Sequence, residues 1–280
     1  MRAIIFNLSA WAILPFMDTI AKYLSAELSF FQITWARYFF TVFWTLPFMF
    51  FFFRKKLTWS GNLKLQILRG LTLFFANICF FYSISVISMA KALTLAFVAP
   101  LVTTALSPVL LGEKVGIRRW TAVIIGFIGS LVVIRPGFIE FNLATVSALG
   151  TGCLYGIYLI ITRKLHTTDN PLLTLLLTGI VGALISTLFV PIVWINPTNI
   201  QWMWLAIMGI FACLGHIFLI YSLKYADASK LAPFGYFEII TNIILGYYVF
   251  KDFPDIWTFL GLFIIISSGI YIFKREINIK

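Results

Sequence analysis

The sequence predicts an all-α membrane protein of ten transmembrane helices, arranged as two inverted five-helix repeats. Three observations carry that expectation. Of 280 residues, 61% are hydrophobic and only 11% are charged, where a chain folding in water carries about a quarter. Apolar runs of about twenty residues, the length that crosses a bilayer, recur from end to end. The basic residues, finally, gather in alternate loops, as the two sides of a membrane require. Ten spans use roughly 200 residues, so short loops remain and a soluble domain of useful size does not fit.

The spans follow from apolar runs broken by charge, Pro, Gly or Asn. Span 1 covers 3–23. Asp18, Lys22 and the lack of a small-x-small site mark it as a retained helix and not a cleaved signal. Span 2 covers 31–53 and stops at Arg54-Lys55-Lys56, a run that reads as a topology anchor with a lipid-headgroup role as the alternative. Spans 3, 4 and 5 cover 67–86, 91–111 and 119–134, the last ending at Arg135-Pro136-Gly137. Span 6 covers 143–162, ahead of Arg163-Lys164. Span 7 covers 172–195, up to Asn196-Pro197, and span 8 covers 201–221. Span 9 covers 229–250. Span 10, 256–273, starts after Pro254-Asp255 and ends before Lys274-Arg275.

Counting Arg69 with Arg54, Lys55, Lys56 and Lys64 in the loop after span 2, 16 of the 21 Lys and Arg residues fall on the side of the termini and 4 on the other, with Arg37 inside span 2. That asymmetry puts both termini in the cytoplasm and supports an even number of spans. Scattered over short loops, the net charge of +11 forms no single basic face, which excludes a nucleic-acid surface. Cys79, Cys153 and Cys213 lie in apolar stretches and read as small hydrophobes.

The chain divides between residues 1–138 and 139–280. An offset of 139 aligns Gly70 with Gly209, Tyr82-Ser83 with Tyr221-Ser222, Lys91 with Lys230, Leu106 with Leu245 and Ile125 with Ile264. Spans 3, 4 and 5 then land on 8, 9 and 10 without a gap. Five spans per half is an odd number, so the second half enters the membrane in the opposite sense, the plan of many secondary transporters.

Several stretches resemble a known family. Leu111-Gly112-Glu113-Lys114, Arg119-Trp120, Gly126-Phe127-Ile128-Gly129 and Arg135-Pro136-Gly137 are similar to the end of an EamA-type repeat of the drug/metabolite transporter superfamily. Asp18-Thr19-Ile20-Ala21-Lys22-Tyr23 and Trp35-Ala36-Arg37-Tyr38 fit the first repeat. Leu231-Ala232-Pro233-Phe234, Ser268-Gly269-Ile270-Tyr271 and Lys274-Arg275-Glu276 fit the second. One departure is that Asp252 stands where the first repeat has Glu113. The resemblance implies a ten-helix bundle with a central cavity lined mainly by helices 1, 3, 4, 6, 8 and 9, and transport of amino acids, vitamins, nucleotide-linked metabolites or drugs.

Ionisable groups inside the hydrocarbon cost at least about 2.5 kcal/mol on insertion scales, so each is a functional candidate. Glu238 lies midway along span 9, just past Pro233-Phe234-Gly235, where the helix is expected to open or kink. It reads as a substrate or proton site, or else as an interhelical hydrogen bond; its mate is Ala99, so it is no repeat-wide packing feature. His216 aligns with Asn77, and both read as substrate-binding or as interhelical hydrogen bonds. Asp18 and Lys22 stand one turn apart and either neutralise each other or form an outer gate. Arg37 reads as a structural ion pair with an acid on a neighbouring helix. Trp11, Tyr155, Tyr158 and Tyr236 sit at interior depths, away from the interfaces these residues prefer, and suit a planar or cationic solute. Glu113 and Asp252 read as helix caps, and Gly150, Gly152 and Gly156 as points of close helix approach.

An embedded enzyme lacks support here: the chain has only His166 and His216, no HExxH and no Gly-rich phosphate loop. A channel would need a re-entrant filter, and no loop is long enough. The reading is thus a secondary active transporter of a small organic metabolite in the bacterial inner membrane, driven by proton coupling or exchange. It implies no cofactor, metal, nucleic acid or ATPase subunit. Lipids, substrate and protons are its partners, and a monomer suffices.

Overall fold

A computed structural model of the chain describes residues 2–52, 61–111, 116–134, 142–165, 170–225, 231, 234–235 and 237–277. Eleven α-helices and one 3-10 helix (Val190–Val193) lie among the described residues: α1 (Arg2–Leu24), α2 (Phe30–Phe52), α3 (Leu63–Val86), α4 (Met89–Ala96), α5 (Ala99–Leu111), α6 (Ile117–Ile134), α7 (Leu143–Leu165), α8 (Pro171–Phe189), α9 (Asn199–Tyr225), α10 (Phe237–Phe250) and α11 (Ile256–Ile277). No strand occurs among them. The fold is an all-α membrane fold. Helices satisfy their own backbone groups, which a hydrocarbon environment demands.

Burial runs inside out relative to a soluble protein. Leu184, Leu188, Tyr248 and Phe263 face outward, whereas Asp18, Arg37, Arg69, His216 and Glu238 are buried. Lipid on the outside and polar groups within explain both halves of that pattern. Six helical stretches are long and apolar enough to cross a membrane on composition alone.

Helix starts owe much to the Asn, Ser, Thr and Asp residues that interrupt the apolar runs. Asn62, Asn142 and Asn170 accept from the backbone amides of Leu65, Thr145 and Leu172 at 3.2, 2.9 and 2.9 Å. Asp255 accepts from Thr258 N at 2.8 Å. Thr198 and Gln201 satisfy each other's amides reciprocally at the start of α9, the arrangement of a capping box.

Helix α1 packs on α9, and α3 on α7; α2 contacts α8 and α9, while α3 also contacts α8; α6 packs on α11. Span 4 is interrupted: it is the pair α4 and α5, separated at Phe97–Val98. In span 9, Phe234–Gly235 forms a short tight turn and α10 begins at Phe237, so Glu238 lies in a first helical turn. Pro233 and Tyr236, on either side of that turn, lie outside the described residues.

Two glycines on α7 receive the interruption of span 4. A Cβ added to Gly152 would lie 2.6 Å from the carbonyl oxygen of Ala96, and one on Gly156 would lie 2.9 Å from that of Ala99. Backbone cannot yield as a side-chain tip can, so these positions require glycine. Gly150 meets only Cys79 Sγ, at 3.8 Å. Cys79, Cys153 and Cys213 are all free thiols.

Candidate functional site

Helices α1, α2, α3, α7, α9 and α10 bring the polar residues of the bundle together. Asp18, on α1, is 3% exposed and Glu238, on α10, is 7% exposed. The two carboxylates lie within electrostatic range of each other. Arg37, on α2, is the cation in range of Asp18. Among the described residues neither carboxylate has a hydrogen-bond or salt-bridge partner. Removing a polar group from water without a partner is expensive, so this pair is one feature of the bundle that packing does not explain.

Around the acids stands an aromatic and amide wall. Tyr155 and Tyr158 on α7 stack with centroids 5.2 Å apart, Tyr155 lies in electrostatic range of Glu238, and the Tyr158 ring meets His216 edge-on at 6.3 Å. Trp11 donates from Nε1 to Asn7 Oδ1 at 2.9 Å, and Asn7 Nδ2 donates to Ser222 Oγ at 3.1 Å. That chain ties α1 to α9 and holds the Trp11 ring beside Gly235, 3.7 Å from where its Cβ would stand. Asn77 Nδ2 donates to Tyr38 OH at 2.8 Å and to Leu73 O at 2.7 Å.

Arg37 departs from the expected ion pair. Its Nη2 donates to His216 Nε2 at 2.6 Å and its Nε to Met17 Sδ at 3.2 Å, while the guanidinium lies 4.6 Å from the Tyr38 ring centroid. No acid among the described residues is within salt-bridge distance of it. Its helix neighbours at that depth offer imidazole, thioether and phenol instead.

The expected neutralisation of Asp18 by Lys22 does not occur. Lys22 Nζ forms a salt bridge with Asp252 Oδ2 at 2.7 Å, donates to Ile87 O at 3.2 Å and lies 5.2 Å from the Phe250 ring centroid. Asp252 is therefore no cap for α11; Asp255 has that role. A left-handed helix ending carries Asp252 into place: Lys251 adopts φ 60, with Lys251 N bonded to Tyr247 O, the bond of an αL cap, and Asp252 N to Gly246 O. Glu27 Oε2 accepts from Gln201 Nε2 at 2.6 Å, and Gln32 exchanges two hydrogen bonds with Ile195. These ties join the two halves on a single face of the bundle, the one holding the α1–α2 and α10–α11 connections.

Of the residues singled out in the sequence, Glu238, Asp18, Arg37, His216, Tyr155, Tyr158, Trp11 and Asn77 gather in the centre, and Lys22 joins the face where the halves meet. Tyr236, Glu113 and the Arg54–Lys56 run lie outside the described residues.

Arg69 overturns part of the charge assignment. Counted in the loop after span 2, it is 0% exposed within α3. Arg69 Nε donates to Thr162 Oγ1 at 2.8 Å, Nη2 to Tyr158 OH at 2.8 Å and Nη1 to Thr174 O at 3.2 Å and to Thr178 Oγ1. Removing it from the loop leaves 15 basic residues against 4, and the asymmetry stands. Asn7, Tyr38 and Asn242 also belong to the polar interior; Trp11 four residues after Asn7 was the available signal for the first, and the other two carried none.

Comparison with known proteins agrees with this architecture. The model of the EamA-like transporter family matches residues 1–135 and again 142–274. A protein of Rickettsia prowazekii named S-adenosylmethionine uptake transporter is 29% identical over 92% of this chain and 88% of its own. A Vibrio cholerae protein named riboflavin transporter is 29% identical over 66% of this chain and 63% of its own. One solved crystal structure, 16% identical, superposes with a TM-score of 0.70 over 99% of this chain and 98% of that one; this likeness concerns the fold alone.

Proposed function

The chain belongs to the EamA-like transporter family, and from that premise we propose that it is a secondary carrier for a positively charged, nucleoside-like metabolite of the S-adenosylmethionine type. The observation that carries this reading is the pair of buried carboxylates, Asp18 and Glu238, without a hydrogen-bond or salt-bridge partner among the described residues. Asp18, Glu238 and Arg37 sum to one net negative charge when all are ionised, while Arg69 is engaged by oxygens of α7 and α8. S-adenosylmethionine, with a sulfonium, an ammonium and a carboxylate, carries one net positive charge. Its planar base suits Tyr155, Tyr158 and Trp11, where aromatic stacking and cation–π attraction each supply affinity. Riboflavin is planar but lacks a cationic group, so the acids favour the former. The Rickettsia relative's name supports the same choice.

Transport proceeds by alternating access between the two halves, energised by an ion gradient or by exchange. The pairing of α1 with α9 and of α3 with α7 supports inverted repeats, because an exchange of halves converts one pair into the other. The contacts of Lys22, Glu27 and Gln32 serve as the closure on the non-cytoplasmic face.

Uptake of radiolabelled S-adenosylmethionine by cells expressing the protein is the test. Unlabelled S-adenosylmethionine should compete at least about tenfold better than S-adenosylhomocysteine, which lacks the sulfonium charge. Equal competition would overturn the cation reading. Orientation has its own check: cysteines introduced at Lys56 and Lys164 should be shielded from impermeant reagent in intact cells, while one at Asn196 labels. Labelling at Lys56 would reverse the topology.

A further inference from the structure

Arg37 is a buried guanidinium whose contacts do not use up its chemistry. Arginine only donates, through five N–H groups in a fixed fork. Apart from its partner at His216 Nε2, its acceptors among the described residues are Met17 Sδ, a weak one, and the Tyr38 hydroxyl, a neutral one. Arg69 differs, since all three of its nitrogens donate to oxygen. A guanidinium inside the membrane calls for an anion or a full set of acceptors, and Arg37 has neither among the described residues.

His216 points the same way. Because Arg37 must be the donor in their contact, His216 Nε2 is the acceptor, and the neutral ring carries its proton on Nδ1. That Nδ1 is buried and has no hydrogen-bond partner. The dyad thus presents donors and lacks acceptors, beside a carboxylate pair that lacks donors. Met17 and Asp18 are consecutive, so the donor-rich and acceptor-rich groups meet at one point of α1.

We infer that Arg37, positioned by His216, is the binding point for a carboxylate on the substrate. The centre of the bundle then receives an α-amino-acid head, with its cationic groups toward Asp18 and Glu238 and its carboxylate on Arg37. This assignment rests on the carrier reading above and adds a second pole to it. Guanidinium and carboxylate match as paired forks, so the arrangement reads the carboxylate and not charge alone.

The test is a binding titration on the purified full-length protein with ligand pairs that differ only in the carboxylate: S-adenosylmethionine with its decarboxylated form, and L-methionine with 3-(methylthio)propylamine. The wild type should bind the carboxylate-bearing member at least about tenfold more tightly. Arg37→Gln should bring the two members within about threefold of each other, by weakening the acid-bearing ligand while the amine still binds. That retained binding separates a lost subsite from a lost fold. Should Arg37→Gln fail to fold, the wild-type preference alone decides. His216→Phe, which removes the support, should lower the preference without abolishing it.

If S-adenosylmethionine does not bind but L-methionine is preferred over its amine, the substrate reading falls and the subsite stands. Equal binding within every bound pair overturns the subsite, as does binding of amines alone or of no ligand in the set.

Discussion

Replacing Glu238 with glutamine should reduce both net uptake and substrate exchange by at least about 30-fold, because truncating one side of a buried charged contact costs about 2–5 kcal/mol. The substitution keeps the size of the side chain and removes the charge. Glu238 occupies the first turn of α10, where the helix dipole favours an acid, and it shares electrostatic range with Asp18. A substrate sulfonium or ammonium held between them loses half of its counter-charge in the variant. Both activities fall together when the acid binds the substrate itself. A variant that loses gradient-driven uptake yet still exchanges substrate would instead assign Glu238 to proton coupling. Wild-type transport in Glu238→Gln would make the acid a packing element.

Arg69→Lys should lower the midpoint of thermal unfolding in detergent by about 5–15 °C. Lysine keeps the buried charge and discards the fork that reaches Thr162, Thr174, Thr178 and Tyr158 on α7 and α8. Each hydrogen bond from a charged donor contributes about 1.5–3 kcal/mol. Losing two or more of them costs several kcal/mol, at about 2–4 °C per kcal/mol for a chain of this size. Ligand affinity of the folded variant should change less than about threefold, since Arg69 is a lock between helices. A midpoint within 2 °C of wild type, about the width of a single kcal/mol, would contradict that role.

Much of the bundle can be read from the sequence because membrane helices obey a one-dimensional rule: about twenty apolar residues, then a break. Asn62, Asn142 and Asn170 mark breaks and cap helices for the same reason, a side-chain oxygen that satisfies a free amide. The helix start beside Glu238 is legible from Pro233 and Gly235. Glu238, Asp18 and Arg37 stand out because ionisable groups are rare in hydrocarbon.

What escapes is partner choice. Lys22 sees Asp18 one turn away in sequence, yet its partner is Asp252, 230 positions along the chain and delivered by the turn at Lys251. Arg69 reads as a loop residue because hydropathy cannot tell a helix start that faces lipid headgroups from one turned against α7 and α8. Arg37 lacks the expected acid because its helix neighbours bring His216, Met17 and the Tyr38 ring to it instead. Neutral polar residues such as Tyr38 and Asn242 are common in spans, and only packing against neighbouring helices sets them apart.

Counterflow separates a carrier from a passive pore. Proteoliposomes preloaded with unlabelled S-adenosylmethionine and diluted into a trace of labelled compound should accumulate label transiently above its equilibrium level, and those carrying Glu238→Gln should not. Label that merely equilibrates, at the same rate with or without preloading, would show passive flux and contradict a carrier; label that never enters would contradict the substrate.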